Sequence, residues 1–379
     1  MTSVAMLTST AFWRRSRGSE RRIADLTRAI ARAGHAVTVI WAGRLSPQDQ
    51  ALLAHEPVSL EQTGTPLPTP GANAPLGAFA DDEFHEALAG AIARTRPDTL
   101  IAQYIRFAPA VAALPAHLRP PECMVDTHDV MHTRARAFHA AGHDHWIDLT
   151  RDEEAAALGV FDLTLAINDA DAAVLHELTS RVLLVPHAIE PIAPADPPTG
   201  APNALFVGAS GVPNVDAARW LIEDIWPAAR RDLPGGATLT VAGSVADAIP
   251  IEFLSAHGVR SIGFVDDLGP IYASATVTVA PLRFGGGLKI KNLESLAHAV
   301  PVVTTPVGAQ GMESAAGSSV LIGCDTATLA AALVRACNDA ELNRSMRSAA
   351  NVFVADRFAP DVAYRPLLRM LRTTRGAAA

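Results

Sequence analysis

Gly285-Gly286-Gly287-Leu288-Lys289-Ile290-Lys291-Asn292-Leu293-Glu294-Ser295-Leu296-Ala297 joins three glycines to a segment of helical periodicity. Each helical residue advances about 100°, so Ile290, Leu293, Leu296, Ala297 and Val300 share one arc while Lys291, Glu294 and His298 share another. The apolar arc suits packing on a sheet, and the polar arc then carries Lys291 and Glu294, three residues apart, side by side. Before the glycines, residues 276–282 are β-branched and apolar, the pattern of a buried parallel strand. After them the helix stops at 298–301, and Val302-Val303-Thr304-Thr305 starts another strand. The stretch is therefore expected at the carboxyl end of a strand in a β-α-β unit, where open α/β sheets bind ligands.

The chemistry of the stretch follows from its order. Glycines let backbone N–H groups approach an anion closely, and a helix N-terminus adds roughly half a unit of positive charge. Lys289 and Lys291 add full charges at the same end, and Glu294, one turn further in, suits sugar hydroxyls as an acceptor. Phosphates, cations, then a hydroxyl acceptor is the order a nucleotide-sugar needs. Taken alone, a glycine loop followed by a solvated Lys/Glu face remains the alternative.

The run GGGLKIKNLESLAHAVPVVTTPVGAQGM, 285–312, resembles the donor-site signature of the family-4 retaining glycosyltransferases of GT-B fold. The resemblance extends to Phe206-Val207-Gly208, Pro213-Asn214 and Trp220, and to 263–268. In the N-terminal half it rests on Gly34-His35-Ala36-Val37, on His128-Asp129 and on the acid-rich helix start near Glu153. It implies an α/β chain of two Rossmann-like parallel-sheet domains facing a central cleft. The implied reaction moves a sugar from a UDP- or GDP-sugar to an acceptor hydroxyl with retention of anomeric configuration. The implied setting is polysaccharide, glycolipid or glycoconjugate biosynthesis, with no cofactor and no protein-bound metal.

By the same resemblance His128 lines the site near the donor sugar and acceptor, while Lys289 and Lys291 stabilise the departing diphosphate. Gly285, Gly286, Gly287 and Glu294 bind the donor, the backbone at Val265 borders the nucleobase, and Gly18 is what remains of a first loop that is usually glycine-rich. Three departures stand out. The arginine and lysine that many relatives carry after the first strand of the second domain are missing from 209–215. Gly286 stands where the common motif has its first glutamate, and Pro186-His187-Ala188-Ile189-Glu190 replaces the frequent Pro-Asn-Gly-Val-Asp. Neutralising two phosphates would then fall on Lys289, Lys291 and the backbone, with Arg283 a further candidate. A nucleotide-sugar epimerase or phosphorylase of the same fold, or a non-catalytic partner subunit, are the competing readings.

The remainder of the chain is consistent with this frame. Its 379 residues exceed what one core usually serves. The expected division is an acceptor-side domain at 1–190, joined by a C-terminal helix at 361–374, a proline-rich linker at 191–202 and a donor domain at 203–360. A 49% hydrophobic share with 18% charged residues describes a well-cored protein, and a net charge of −8 argues against nucleic-acid partners. Cys123, Cys324 and Cys337 form no metal or disulfide spacing. The first residues read as a strand rather than a signal peptide. No run reaches membrane-spanning length, since 100–114 is interrupted by Gln103, Arg106 and Pro109. A cytoplasmic enzyme is expected, with attachment at the inner membrane face through a lipid-linked acceptor left open. Residues 64–75, rich in proline and glycine, read as a variable loop of the kind that carries acceptor specificity. Asp126 and Asp129 beside His128 are expected to favour its protonated form. His132, His139, His143 and His145 raise a metal alternative, which the absence of a nearby cysteine argues against.

Overall fold

The computed structural model describes residues 2–15 and 17–373. Met1, Ser16 and Thr374, which the sequence assigns to the first strand, the basic loop and the last helix, lie outside the described residues. The chain divides into two compact units, one of residues up to 188 together with those from 363 on, the other of 189–362.

The first unit is built on strands β1 (Ser3–Thr8), β2 (Ala36–Trp41), β3 (Ser59–Gln62), β4 (Thr99–Gln103), β5 (Glu122–Asp126), β6 (Leu163–Ala166) and β7 (Val182–Leu184). They form a sheet of order β3-β2-β1-β4-β5-β6-β7 with every neighbouring pair parallel. Strand side chains alternate faces, and both faces are buried here. Val4 and Met6 join Ile101, Met124 and Leu165 on one side, while Ala5 and Leu7 join Leu100, Ala102 and Val125 on the other. The first helix, Gly18–Arg32, packs Ile23, Leu26 and Ile30 onto the former face, each burial contributing about 1.5–3 kcal/mol. Tyr364, Leu367 and Leu371 of the last residues pack on that same face, and the Thr2 hydroxyl donates to the Leu371 carbonyl at 2.8 Å.

The second unit carries β8 (Asn203–Val207), β9 (Thr238–Ala242), β10 (Arg260–Gly263), β11 (Val277–Ala280), β12 (Val302–Thr304) and β13 (Val320–Ile322). The order is β10-β9-β8-β11-β12-β13, again parallel throughout. In each sheet the order reverses once, between β1 and β4 and between β8 and β11, which is the Rossmann-type switch. The fold expectation from the sequence holds in both halves. Its element ends do not all hold: β11 spans four residues of the seven in 276–282, and the helix expected from Asp148 starts at Arg151. Thr150 caps that helix, with the Glu153 carboxylate accepting the Thr150 backbone N–H at 2.7 Å.

The segment Pro186-His187-Ala188 is structural in position. His187 and Ala188 are buried, and the Ala188 N–H donates to the Tyr364 hydroxyl at 3.3 Å. Past it, the Ile189 N–H donates to the Phe358 carbonyl and the Ile192 N–H to the Ala297 carbonyl, so 189–192 belong with the second unit.

Candidate functional site

In the second unit the stretch 281–289 leaves the carboxyl end of β11, next to β8, at the point where the strand order reverses. Buried Leu282, Phe284 and Leu288 anchor it, and the glycines between them are free to turn: Gly285 has φ +129° and Gly287 φ +65°. Space is open where a Gly285 side chain would start, so the backbone there can be approached closely. The helix begins at Ile290, after the glycines, with Lys289 as its N-cap residue. Lys289 Nζ donates to the carbonyls of Gly286 (2.8 Å) and Gly287 (2.7 Å) and to Gln310 Oε1 (2.9 Å). One ammonium thus ties the loop to itself and to 308–312. Asn292 Nδ2 adds a second tie to the Gly308 carbonyl at 2.9 Å.

The expected arcs of the helix Ile290–Ala297 are both present. Ile290, Leu293, Leu296 and Ala297 are buried in the sheet-facing arc. On the other, Lys291 Nζ donates to Glu294 Oε2 at 3.0 Å, and the Tyr272 hydroxyl lies 3.4 Å from the same oxygen. Glu294 is only 3% exposed, so a partner is required to hold it charged, and Lys291 supplies one. His298 stacks on Tyr272 with centroids 4.7 Å apart, and burial pushes its imidazole below the ordinary value despite Glu294 and Asp267. Val265, half-buried, follows β10 at the same end of the sheet. Arg283 is engaged elsewhere: it forms an ion pair with Asp216 and lies over the Trp220 ring at 5.4 Å. The neutral loop after β8 is pinned by Asn214 Nδ2, which donates to the Ala209 carbonyl at 3.0 Å.

In the first unit β5 ends at Asp126, whose carboxylate receives Arg22 of the first helix through Nε (3.0 and 2.9 Å) and Nη2 (2.7 Å). Both side chains are fully buried, and Arg22 Nη1 also donates to the Val185 carbonyl at 2.9 Å. Two residues on, His128 sits at φ +61° with its ring stacked on Tyr104, centroids 4.0 Å apart and planes 9° off parallel. Its Nε2 lies 2.9 Å from Gln103 Oε1. Gly18 opens the first helix.

The expectation of a protonated His128 is overturned. Burial dominates and pushes its pKa down to about 4; Asp126 and Asp129 act in the opposite direction, with Arg22 and Arg106 against them. The acids lose because each is already neutralised, Asp126 by Arg22 and Asp129 by Arg134 at 2.5 Å. The other histidines of the cluster have structural partners. His132 Nδ1 is 2.6 Å from Glu154 Oε2, His139 Nε2 is 3.0 Å from Asn73 Oδ1, and His145 lies between the Ile147 carbonyl and Arg134 Nε.

Sequence reasoning passed over Arg22, Gln103, Tyr104 and Arg106. Arg22 did leave a signal: it stands four residues before Leu26 and eight before Ile30, in phase with the apolar arc of its helix. Gln103 ends a largely apolar strand and Tyr104 follows it, the position from which α/β sheets present functional groups.

Two family models match the chain. "Glycosyltransferase Family 4" covers residues 16–191 and "Glycosyl transferases group 1" covers 201–339. Among solved structures, sucrose-phosphate synthase from Thermosynechococcus elongatus superposes with a TM-score of 0.76 at 15% identity, covering 100% of both chains. The Anabaena protein HepE, solved with UDP and glucose, superposes with a TM-score of 0.71 at 13% identity, over 98% of this chain and 100% of that one. At these identities the likeness speaks for the fold. An uncharacterized 44.6 kDa protein in the cps region of Klebsiella pneumoniae is 27% identical over 132 residues, 32% of this chain. That match spans about a third, 34%, of the relative's own length. Each half of the chain is thus matched by a glycosyltransferase model, residues 16–191 by Family 4 and 201–339 by group 1, and the superpositions show that the fold of the chain is GT-B.

Proposed function

We propose that the chain transfers a sugar from a uridine or guanosine diphosphate sugar to an acceptor hydroxyl, with retention of anomeric configuration and without a protein-bound metal. The observation that carries this reading is the loop after β11. Backbone N–H groups of a glycine turn, two lysines and a buried carboxylate succeed one another there over ten residues, 285–294. Charge developing on a departing diphosphate would be met by the amides of Gly285, Gly286 and Gly287 and by Lys289 and Lys291, whose ammonium groups would exchange a present contact, to the loop carbonyls or to Glu294, for a phosphate oxygen. Glu294 would take the ribose hydroxyls, and Val265 would border the base. Support for the donor class comes from HepE, solved with UDP-glucose. Support for a setting in polysaccharide biosynthesis comes from the Klebsiella relative of the cps region. The test is incubation with a panel of UDP-, GDP- and TDP-sugars, following nucleoside diphosphate release and the anomeric configuration of product by NMR. Binding of no nucleotide in the panel would sink the reading, and an inverted product would sink its stereochemical part.

Two predictions belong to the donor loop. Lys289→Ala and Lys291→Ala should each weaken UDP or GDP binding by about 1.5–3 kcal/mol, the range for hydrogen bonds to charged groups. Lys289→Ala should also raise protease sensitivity around 285–289, because the loop loses the ammonium contacts that tie it down. Calorimetric titration reads the first effect, and unchanged affinity in both variants removes the phosphate assignment.

Glu294→Gln should lose affinity for ribonucleotides while discriminating little against 2′- and 3′-deoxy analogues. The native carboxylate, buried and paired with Lys291, should bind those analogues poorly because a hydroxyl donor is missing. Equal native affinity for ribo and both deoxy forms would contradict the assignment.

A further inference from the structure

At the carboxyl ends of β1 and β2 the first unit holds a cavity of about 380 Å³, walled by the rings of Trp41, Phe79 and Trp146, by Pro66 and Pro68, and by Arg106. That volume is near the small end of the range for small-molecule sites, about 300–1,000 Å³. Apolar faces with a few polar groups are the usual lining of such sites, and of the polar members here, Ser9, Thr69 and Arg106, the last is a charge without a counter-charge among the described residues. The Arg106 guanidinium lies over Tyr104 (5.0 Å), Trp146 (5.7 Å) and Phe107 (5.8 Å). Among the described residues its one hydrogen bond goes from Nη2 to the Thr10 hydroxyl at 3.3 Å, and its Nε is buried without a partner. Among the described residues no carboxylate pairs with it. Other arginines of this unit do have acids: Arg14 takes Asp49, Arg22 takes Asp126 and Arg134 takes Asp129. A half-buried guanidinium held by three rings and left short of acceptors is costly to the fold, and a bound anion would complete it.

The walls are fixed before anything binds. Asn73, at φ +55°, gives its N–H to the His145 carbonyl (2.5 Å), accepts the His145 N–H on Oδ1 (2.9 Å) and donates from Nδ2 to Asp144 (2.7 Å). The bridge between Ala74 and Ile147 continues that seam. On the far side, the Thr63 hydroxyl accepts the Gly43 N–H at 2.8 Å and donates to the Thr65 carbonyl at 2.6 Å. The loop expected to vary is therefore sewn down at both ends, which lowers the ordering cost of binding. Trp146 meets the edge of Tyr104, centroids 6.0 Å apart, and Tyr104 carries His128 on its face. A ligand against Trp146 would be linked to His128 through two rings, Trp146 and Tyr104.

We propose that this cavity binds the acceptor as an anionic glycosyl unit, with Arg106 pairing with a carboxylate or phosphate substituent and the Trp41, Phe79 and Trp146 rings covering the sugar's apolar face. The inference rests on the glycosyl-transfer reading and adds the chemical class of the acceptor. A planar guanidinium matches both anions, so the two sources must be told apart by experiment.

Titrations of the full chain with methyl glucuronide, glucose 6-phosphate, neutral methyl glucoside and inorganic phosphate, followed by saturation-transfer NMR, test it. At least one anionic sugar should bind about tenfold or more tightly than methyl glucoside, and the stronger of the two identifies the substituent. Arg106→Gln should abolish that preference, and Arg106→Lys should restore part of it. Equal binding of neutral and anionic sugars by the native chain overturns the proposal without reference to any variant. So does inorganic phosphate binding as tightly as the sugar phosphate, which would make the cavity a simple anion site. UDP and GDP titrations on the same preparation separate the two levels. Binding of either nucleotide with no anionic preference removes the acceptor class alone, whereas binding of neither with the preference intact removes the donor reading.

Discussion

Arg22→Ala and Asp126→Ala should each destabilise the first unit by about 3–5 kcal/mol, the cost of leaving one member of a buried ion pair unpaired. The pair fastens the first helix to the end of β5 with three contacts of 2.7–3.0 Å, and neither side chain has solvent to fall back on. Removing Arg22 strands the carboxylate and also the Val185 carbonyl that accepts from Nη1. The double variant Arg22→Met/Asp126→Leu should recover most of the loss, because two apolar groups of similar size leave no charge behind. Two units in one chain need not unfold together, so a single melting temperature is a poor readout. Urea titration read by hydrogen exchange on peptides from 18–32 and 122–126 isolates the relevant helix and strand. Single variants within about 1 kcal/mol of the native chain would mean that the pair is solvated in solution.

What the sequence disclosed, and what it withheld, divides along physical lines. The switch-point loop was legible because glycine, strand and helix signals all act locally: φ freedom at Gly285 and Gly287, β-branched Val277 and Val279, and the helical spacing of Ile290, Leu293 and Leu296 need no distant partner. The protonation of His128 was not legible, because it depends on whether two nearby acids are free. Arg22, far from His128 along the chain, consumes one of them, and that contact exists only after folding. The role of Arg283 was hidden for the same reason, since Asp216 and Trp220 reach it across the unit. The histidine spacing that raised the metal alternative carried no sign of Asn73 and Glu154, which meet two of those rings from other segments.

His128→Asn should lower kcat by on the order of a hundredfold while leaving nucleotide affinity nearly unchanged, if the ring acts on the reacting sugar or acceptor. Asparagine is the informative replacement: it tolerates the φ of +61° at this position, whereas alanine would add backbone strain and open a gap beside Tyr104. The same variant should change the pH dependence of stability. A buried imidazole with its pKa pushed down to about 4 is held neutral in the folded chain, while the unfolded chain protonates near 6.5. Between those values the unfolded state binds more protons, so the stability is fully present above pH 6.5 and is lost as pH falls toward 4, by about 3 kcal/mol in order of magnitude. His128→Asn should remove this component of the acid slope, since asparagine does not titrate. Because the ring stays neutral through the working range, its own titration should not produce a kcat inflection near pH 6–7. Denaturant midpoints from pH 4 to 8 and turnover on one preparation separate the roles. A variant that keeps the native acid slope contradicts the buried neutral ring, and one that turns over donor normally makes His128 a packing residue rather than a catalytic one.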